Sequence, residues 1–327
     1  MLKKAAASKR RPRPARNPGM PLDAGLVAGV RVNHFAALRR AASVVQRRAV
    51  KKEAQKAWLL QAIRCMDLTT LAGDDTAGRL ARLCGKARAP LAPGLRRALG
   101  APASLRAAAV CVYPRLQRRA QELLEGSGIP VTPVSTGFPA GQIGTAAKLR
   151  EIKDAVRAGA PEMETVITRE HVFTGAWRKL YDEVSSFRDA AGEAHVKVIL
   201  AVGDLRSLRA VAQAGMVAMM AGADFIKTST GKEATNASLP TALVMLRMIR
   251  DYEELSGSRV GFKPAGGISA AKDALRYMVL VREELGPAWL EPGLLRLGAS
   301  SLLGDVERQL EHHATGAYSA THRHALA

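Results

Sequence analysis

Eight short apolar runs, each followed by an amphipathic stretch of helical period, predict an α/β fold: a TIM (β/α)8 barrel with an N-terminal helical extension. Two further observations agree. The composition is 47% apolar but only 4% aromatic, which suits small and branched side chains packing helices closely onto a buried parallel sheet. Several of the runs also end in a polar residue or a glycine, at the strand ends where a barrel places its reacting groups. A doubly wound sheet, with about five to seven strands, would leave some of the runs unused.

In chain order, residues 1–30 mix Arg with Pro, show no apolar period, and read as a basic disordered tail. Residues 1–57 hold 15 of the 49 Lys/Arg but 2 of the 29 Asp/Glu, so most of the formal charge of +20 belongs to this end. Three readings compete there: a solvated tail, a polybasic arm making weak nucleic-acid contact, and a mitochondrial presequence. The prolines oppose the amphipathic helix that a presequence needs, and a cytoplasmic location is expected. Residues 31–62 carry Ala, Val, Leu and Trp58 at three- and four-residue intervals, a helical extension ahead of the barrel.

The barrel is assigned to residues 63–313. Its strands are expected at 63–67, 108–113, 131–135, 163–167, 196–201, 224–227, 259–263 and 294–298. The helical patterns follow at 75–86, 116–125, 145–158, 175–191, 205–221, 239–255, 270–285 and 302–312. The stretch 87–106, with Pro90, Pro93 and Pro102, reads as a surface insertion, and 314–327 as a C-terminal tail. No run reaches the roughly 18 to 20 apolar residues of a membrane span, so no membrane partner is expected. Cys65, Cys84 and Cys111 are odd in number and lack CxxC spacing, and His312, His313, His322 and His324 have no cysteine or carboxylate placed among them; neither disulfides nor a metal site is expected.

Lys227 in FIKTSTGK and Lys263 in GFKPAGG each end an apolar run, where an ammonium needs water or a partner. They lie 36 residues apart, about one βαβ unit, so they should stand on neighbouring strands roughly 4.8 Å apart. A single such lysine is an ion-pair member, a phosphate ligand or a nucleophile. Two together, in a desolvated place, disfavour double protonation and leave one amine free to attack a carbonyl as a Schiff base, whose iminium is an electron sink for carbon-carbon chemistry. Lys227 is taken as the nucleophile and Lys263 as its activating partner and proton shuttle, although spacing alone does not separate the two. Gly266-Gly267 and GASS (298–301, with Ser300 and Ser301) offer free amides, hydroxyls and a helix N-terminus to a phosphate, with Gly231 and Lys232 adding a point charge; turn glycines and a capping serine are the plainer alternative. Asp67, Glu164 and Asp204 are candidate general acid/base groups, Asp204 reading better as a cap or neutralising partner. Cys111 reads as a small buried residue.

MDLTTLAGDDT, VCVYPRL, STGFPAGQ, FIKTSTGK, GFKPAGG and LGASSLL, in this order, resemble the signature segments of the deoxyribose-phosphate aldolase family, over about residues 32–320 and most like its longer animal forms. The resemblance implies a class I aldolase without metal or cofactor that reversibly splits 2-deoxy-D-ribose 5-phosphate into glyceraldehyde 3-phosphate and acetaldehyde in deoxyribonucleoside catabolism. It places Lys227 at the Schiff-base position and Lys263 at the activating one. Gly231, Lys232, Gly266, Gly267, Ser300 and Ser301 fall at phosphate-binding positions, with Asp67 and Cys111 beside the substrate. EMETV stands where the family reads EIDVV or EVDVV, so Glu164 takes the proton-relay position with one extra methylene, and VGDL replaces TGEL. The partners implied are a sugar phosphate and aldehydes; the sequence leaves the oligomeric state open, a homodimer being one alternative. Three readings follow: an active aldolase, a slow relative that still binds or forms the imine, and a nucleic-acid-associating protein acting through the tail.

Overall fold

The computed structural model describes residues 15–324. Eight parallel strands, β1 Met66–Thr69, β2 Ala109–Val112, β3 Val131–Ser135, β4 Glu162–Val166, β5 His195–Ile199, β6 Phe225–Lys227, β7 Gly261–Lys263 and β8 Leu297–Ala299, pair in the order β7-β6-β5-β4-β3-β2-β1-β8. Isolated bridges Phe262–Leu295 and Ala265–Gly298 bring the two outer strands together and nearly close the barrel. Helices cover the outside, as a parallel sheet buried on both faces requires. Every strand residue except Thr69 is buried.

The expected first strand begins three residues too early. Ile63 and Cys65 belong instead to the helix Lys52–Cys65, in which Leu59, Ala62, Ile63 and Cys65 are buried. Their three- and four-residue spacing outweighs the short apolar run they share with Met66. The segment 294–296 joins β7 only through a single bridge, and β8 proper starts at Leu297. The insertion contains one short helix, Pro93–Ala98.

The boundary set for the basic tail is corrected. Residues 1–14 lie outside the described residues, but 15–30 are built into the fold. Asn17 is buried: its amide group donates to the carbonyls of Met219 (2.8 Å) and Ala223 (2.9 Å), its Oδ1 accepts from the Tyr252 hydroxyl (2.9 Å), and its backbone N–H donates to Asp224 Oδ1 (2.9 Å). A helix Ala24–Gly29 follows, capped by Asp23, with Val27 fully buried. One asparagine satisfies the Ala223 carbonyl and gives the Met219 carbonyl a further donor beside the Gly222 N–H at the end of a barrel helix, a signal that hydrophobic periodicity does not carry. The helical extension then splits into His34–Arg47 and Lys52–Cys65. The helix Leu302–Thr315 runs past residue 313, and a short 3-10 turn Thr321–His324 folds back on it, where the His324 ring meets Glu311 Oε2 at 2.6 Å. Residues 325–327 of the expected tail lie outside the described residues. Among the described residues, no helix is long and apolar enough to cross a membrane.

Candidate active site

Lys227 and Lys263 are direct register partners on β6 and β7, and strand parity sends both side chains into the barrel. There they meet one carboxylate. Lys227 Nζ donates to Glu164 Oε2 at 2.6 Å, and Lys263 Nζ donates to Glu164 Oε1. Lys263 also donates to Asp67 Oδ2 at 2.6 Å, and the Cys111 thiol lies 3.6 Å from Glu164 Oε2. Five of the eleven residues expected at the site are therefore in one contact network, drawn from β1, β2, β4, β6 and β7. Room for it depends on Gly298 of β8, since a Cβ there would stand 3.0 Å from Lys263 Cε and 2.8 Å from the Ala265 Cβ.

A second layer of charge lies beneath the first, toward the amino ends of the strands. Lys197 of β5 donates to Glu162 Oε1 (2.6 Å), Asp67 Oδ2 (3.2 Å) and Thr132 Oγ1 (3.3 Å). Arg296, just before β8, grips both oxygens of Glu162 (3.0 Å each) and donates to Asp67 Oδ1 at 2.6 Å. Lys197, Glu162 and Arg296 were not expected as site residues. The signal was present: Glu162 shares the parity of Glu164 in EMETV, and Lys197 interrupts the apolar run HVKVI at the position paired with Glu164.

All seven charged side chains are buried. Burial works against the charge of Glu164, but the ammonium groups of Lys227 and Lys263 outweigh it and bring the carboxyl down to about 2. Asp67 and Glu162 are likewise held well below the usual carboxylate range, against burial, with Arg296 and then Lys197 the strongest counter-charges. Burial alone would discharge Lys263 and Arg296, yet the carboxylates beside them raise both above their ordinary values. Burial and the Glu164 charge push the Cys111 thiol up to about 12.

This alters the expected role of the lysine pair. Proximity does not by itself discharge an amine, because Glu164 lies between the two and compensates their repulsion. What separates the amines is their number of partners. Lys263 and Lys197 each donate to two carboxylates, whereas Lys227 has one, and that one is shared. Formally, four cations face three carboxylates, leaving one positive charge over, and Lys227 is the cation with the fewest counter-charges.

The expected phosphate positions lie on the loops at the carboxyl ends of the strands. Gly266 and Gly267 have φ of +82° and +76°, a conformation favouring glycine, and a Cβ on Gly266 would collide with Asn236. Ser300 and Ser301 are exposed just before the helix Leu302–Thr315, and Ser301 makes no side-chain cap, so its hydroxyl is not committed to the helix. Gly231 departs from expectation: its N–H donates to Glu233 Oε2 at 3.1 Å, so a carboxylate of the same loop already uses that amide, while Lys232 stands exposed beside it. Ser229, buried two residues after Lys227, has a hydroxyl without a hydrogen-bond partner among the described residues. Asp204 pairs with Arg169 (2.7 Å) rather than with either lysine. Arg169 also donates to the Pro139 carbonyl at 3.2 Å, joining the loops after β3, β4 and β5 into a rim.

A sequence profile of the DeoC/LacD family aldolases matches residues 61–302, which spans every strand of the barrel. The deoxyribose-phosphate aldolase of Mus musculus is 55% identical over 307 residues, 93% of this chain and 96% of its own. That of Homo sapiens is 53% identical over 311 residues, covering 94% and 98%. In three dimensions the chain is similar to the tetrameric deoxyribose phosphate aldolase of Aeropyrum pernix, with a TM-score of 0.58 and 21% identity over 85% of this chain and 99% of the other. At that identity the likeness speaks for the fold.

Proposed function

The chain belongs to the DeoC/LacD family of aldolases, and from that premise we propose that it reversibly cleaves 2-deoxy-D-ribose 5-phosphate into glyceraldehyde 3-phosphate and acetaldehyde through an imine on Lys227. The observation that carries the assignment is the number of carboxylates each buried lysine meets: Lys227 has one, shared with Lys263, whereas Lys263 and Lys197 each have two, in a network of four cations and three carboxylates. Losing a proton there leaves three cations facing three carboxylates, so neutralising this amine removes a desolvated charge instead of creating one.

The free electron pair of Lys227 Nζ adds to the C1 aldehyde of the open-chain sugar. Lys263, charged and donating to Asp67 and Glu164, hands a proton to the carbinolamine hydroxyl, which leaves as water and gives the iminium. Glu164, ionised and within 2.6 Å of Lys227, takes the proton of the 3-hydroxyl. The C2–C3 electron pair then moves into the iminium, releasing glyceraldehyde 3-phosphate and leaving an enamine. Protonation at C2 and attack of water on the resulting iminium release acetaldehyde and restore the amine. The 5-phosphate is held by the Gly266-Gly267 amides, Ser300, Ser301 and the N-terminus of the last barrel helix, with Lys232 as a point charge.

Borohydride reduction in the presence of acetaldehyde tests the central step, since it converts the iminium into a stable secondary amine. The expected result is a two-carbon adduct on the peptide carrying Lys227, absent from Lys227→Ala. An adduct that persists in Lys227→Ala, or maps to Lys263, overturns the assignment.

A further inference from the structure

We propose that Arg296, which lies beneath the reacting lysines, is a positioning residue whose charge and forked contacts free Lys227 to react. The inference rests on Lys227 being the imine-forming amine. Arg296 occupies the floor of the barrel and also lines a cavity of about 1200 Å³ at the opposite mouth, together with Arg64, Arg106, His195, Glu162 and Glu291. It faces away from the sugar phosphate and acts through the carboxylates it holds.

The geometry gives two effects. Arg296 Nη1 takes Oδ1 of Asp67 at 2.6 Å, which turns Oδ2 toward Lys263 (2.6 Å) and Lys197 (3.2 Å). With its other contacts it occupies both oxygens of Glu162, limiting what that carboxylate offers Lys197. The groups around Lys227 are Glu164 of β4, Lys263 of β7, Lys197 of β5, Cys111 of β2, Asp67 of β1 and, below them, Glu162 and Arg296 itself. Without the guanidinium, three lysines face three carboxylates, and every ammonium has a counter-charge. The surplus that sets Lys227 apart is then gone.

Opposite substitutions in this layer should therefore move the chemistry in opposite directions. Removing the cation with Arg296→Met leaves every ammonium with a counter-charge and moves the trapping profile to higher pH. Removing an anion with Glu162→Gln adds a second uncompensated charge and moves the trapping profile to lower pH. Arg296→Lys preserves the count and restores most of the wild-type behaviour, although it loses the fork. One unit charge about 10 Å away at an effective permittivity of roughly 20 corresponds to a shift of about one pH unit.

The experiment measures the rate of borohydride trapping with acetaldehyde against pH, per folded molecule, for the wild type, Arg296→Met, Arg296→Lys, Glu162→Gln and Lys227→Ala. The expected half-maximal pH lies about one unit higher in Arg296→Met, lower in Glu162→Gln, and near wild type in Arg296→Lys. A loss of packing alone lowers the amount of folded protein and does not shift the profiles in opposite senses. If Arg296→Met does not fold, Glu162→Gln decides: a downward shift supports the inference, and an unchanged or upward one overturns it. Unmoved profiles in both layer variants, with trapping abolished in Lys227→Ala, sink the role of Arg296 alone. Trapping that survives in Lys227→Ala sinks the underlying assignment of the amine.

Discussion

Glu164→Asp tests whether the longer carboxylate restrains Lys227, the proposed nucleophile. Glu164 reaches Lys227 at 2.6 Å and also touches Lys263, so its ion pair with Lys227 must loosen before the amine attacks. Removing one methylene draws the carboxylate back by about 1.5 Å. The Lys227 contact then lengthens to about 4 Å, beyond hydrogen-bonding distance, with space opened for a solvent molecule. At an effective permittivity of about 20, the attraction falls from about 6 to about 4 kcal/mol. The roughly 2 kcal/mol released corresponds to about a 30-fold faster approach to the imine. Lys263 keeps its 2.6 Å contact with Asp67, so the proposed proton donor stays in place. The assay couples glyceraldehyde 3-phosphate release to a dehydrogenase and reads kcat and KM separately, with borohydride trapping in parallel. A gain in kcat of ten-fold or more with KM nearly unchanged is the expected result. A variant as slow as the parent, or slower in trapping, refutes the idea that the glutamate holds back Lys227.

The buried carboxylates also govern behaviour in acid. Glu164 is lowered from 4.5 to about 2, so its stabilisation is complete above 4.5 and is lost as pH falls toward 2; Asp67 and Glu162 move in the same direction, and thermal unfolding followed by circular dichroism should drop steeply across that window, less so in Glu164→Gln. Asn17→Ala leaves the Ala223 carbonyl and the Tyr252 hydroxyl without their Asn17 partner and takes one donor from the Met219 carbonyl, and chemical denaturation should show a loss of about 2 to 4 kcal/mol, whereas an unchanged midpoint would mean the arm does not support the barrel. Deleting residues 1–14 removes six Lys/Arg, so retention on heparin at low salt should weaken while turnover and unfolding temperature stay at wild-type values; loss of turnover would assign those residues a role in the barrel's chemistry.

Legibility from the sequence followed the range of the interactions. The eight strands and the two lysines were readable because each is a local pattern: a short apolar run, a helical period, a cation at a strand end. The arm was not, since Asn17 gains its place from carbonyls about 200 residues away and carries no periodic mark of its own. Arg296 and Lys197 escaped for a related reason. A lone cation inside an apolar run acquires meaning only when closure of the barrel brings it to Asp67 and Glu162, from strands far away in the chain. The role of Glu164 was visible as a position but not as a bridge, because its contact with both amines depends on the reach of its side chain across the lumen.

Seven buried charges are a poor way to stabilise a barrel. Each desolvation opposes folding, and well-packed apolar residues of similar volume commonly do as well or better. Their arrangement makes more sense as a device for holding charge unevenly. A fully matched set would fix every proton, and a set lacking several counter-charges would discharge more than one amine or draw in water. A surplus of one, placed at the end open to substrate, leaves Lys227 with one shared carboxylate while the carboxylates hold Lys263 charged. The same logic gives the floor of the barrel a part in the proposed chemistry at its mouth: in a low-permittivity interior, the reactivity proposed for Lys227 would depend on every charge in the lumen, including the guanidinium of Arg296.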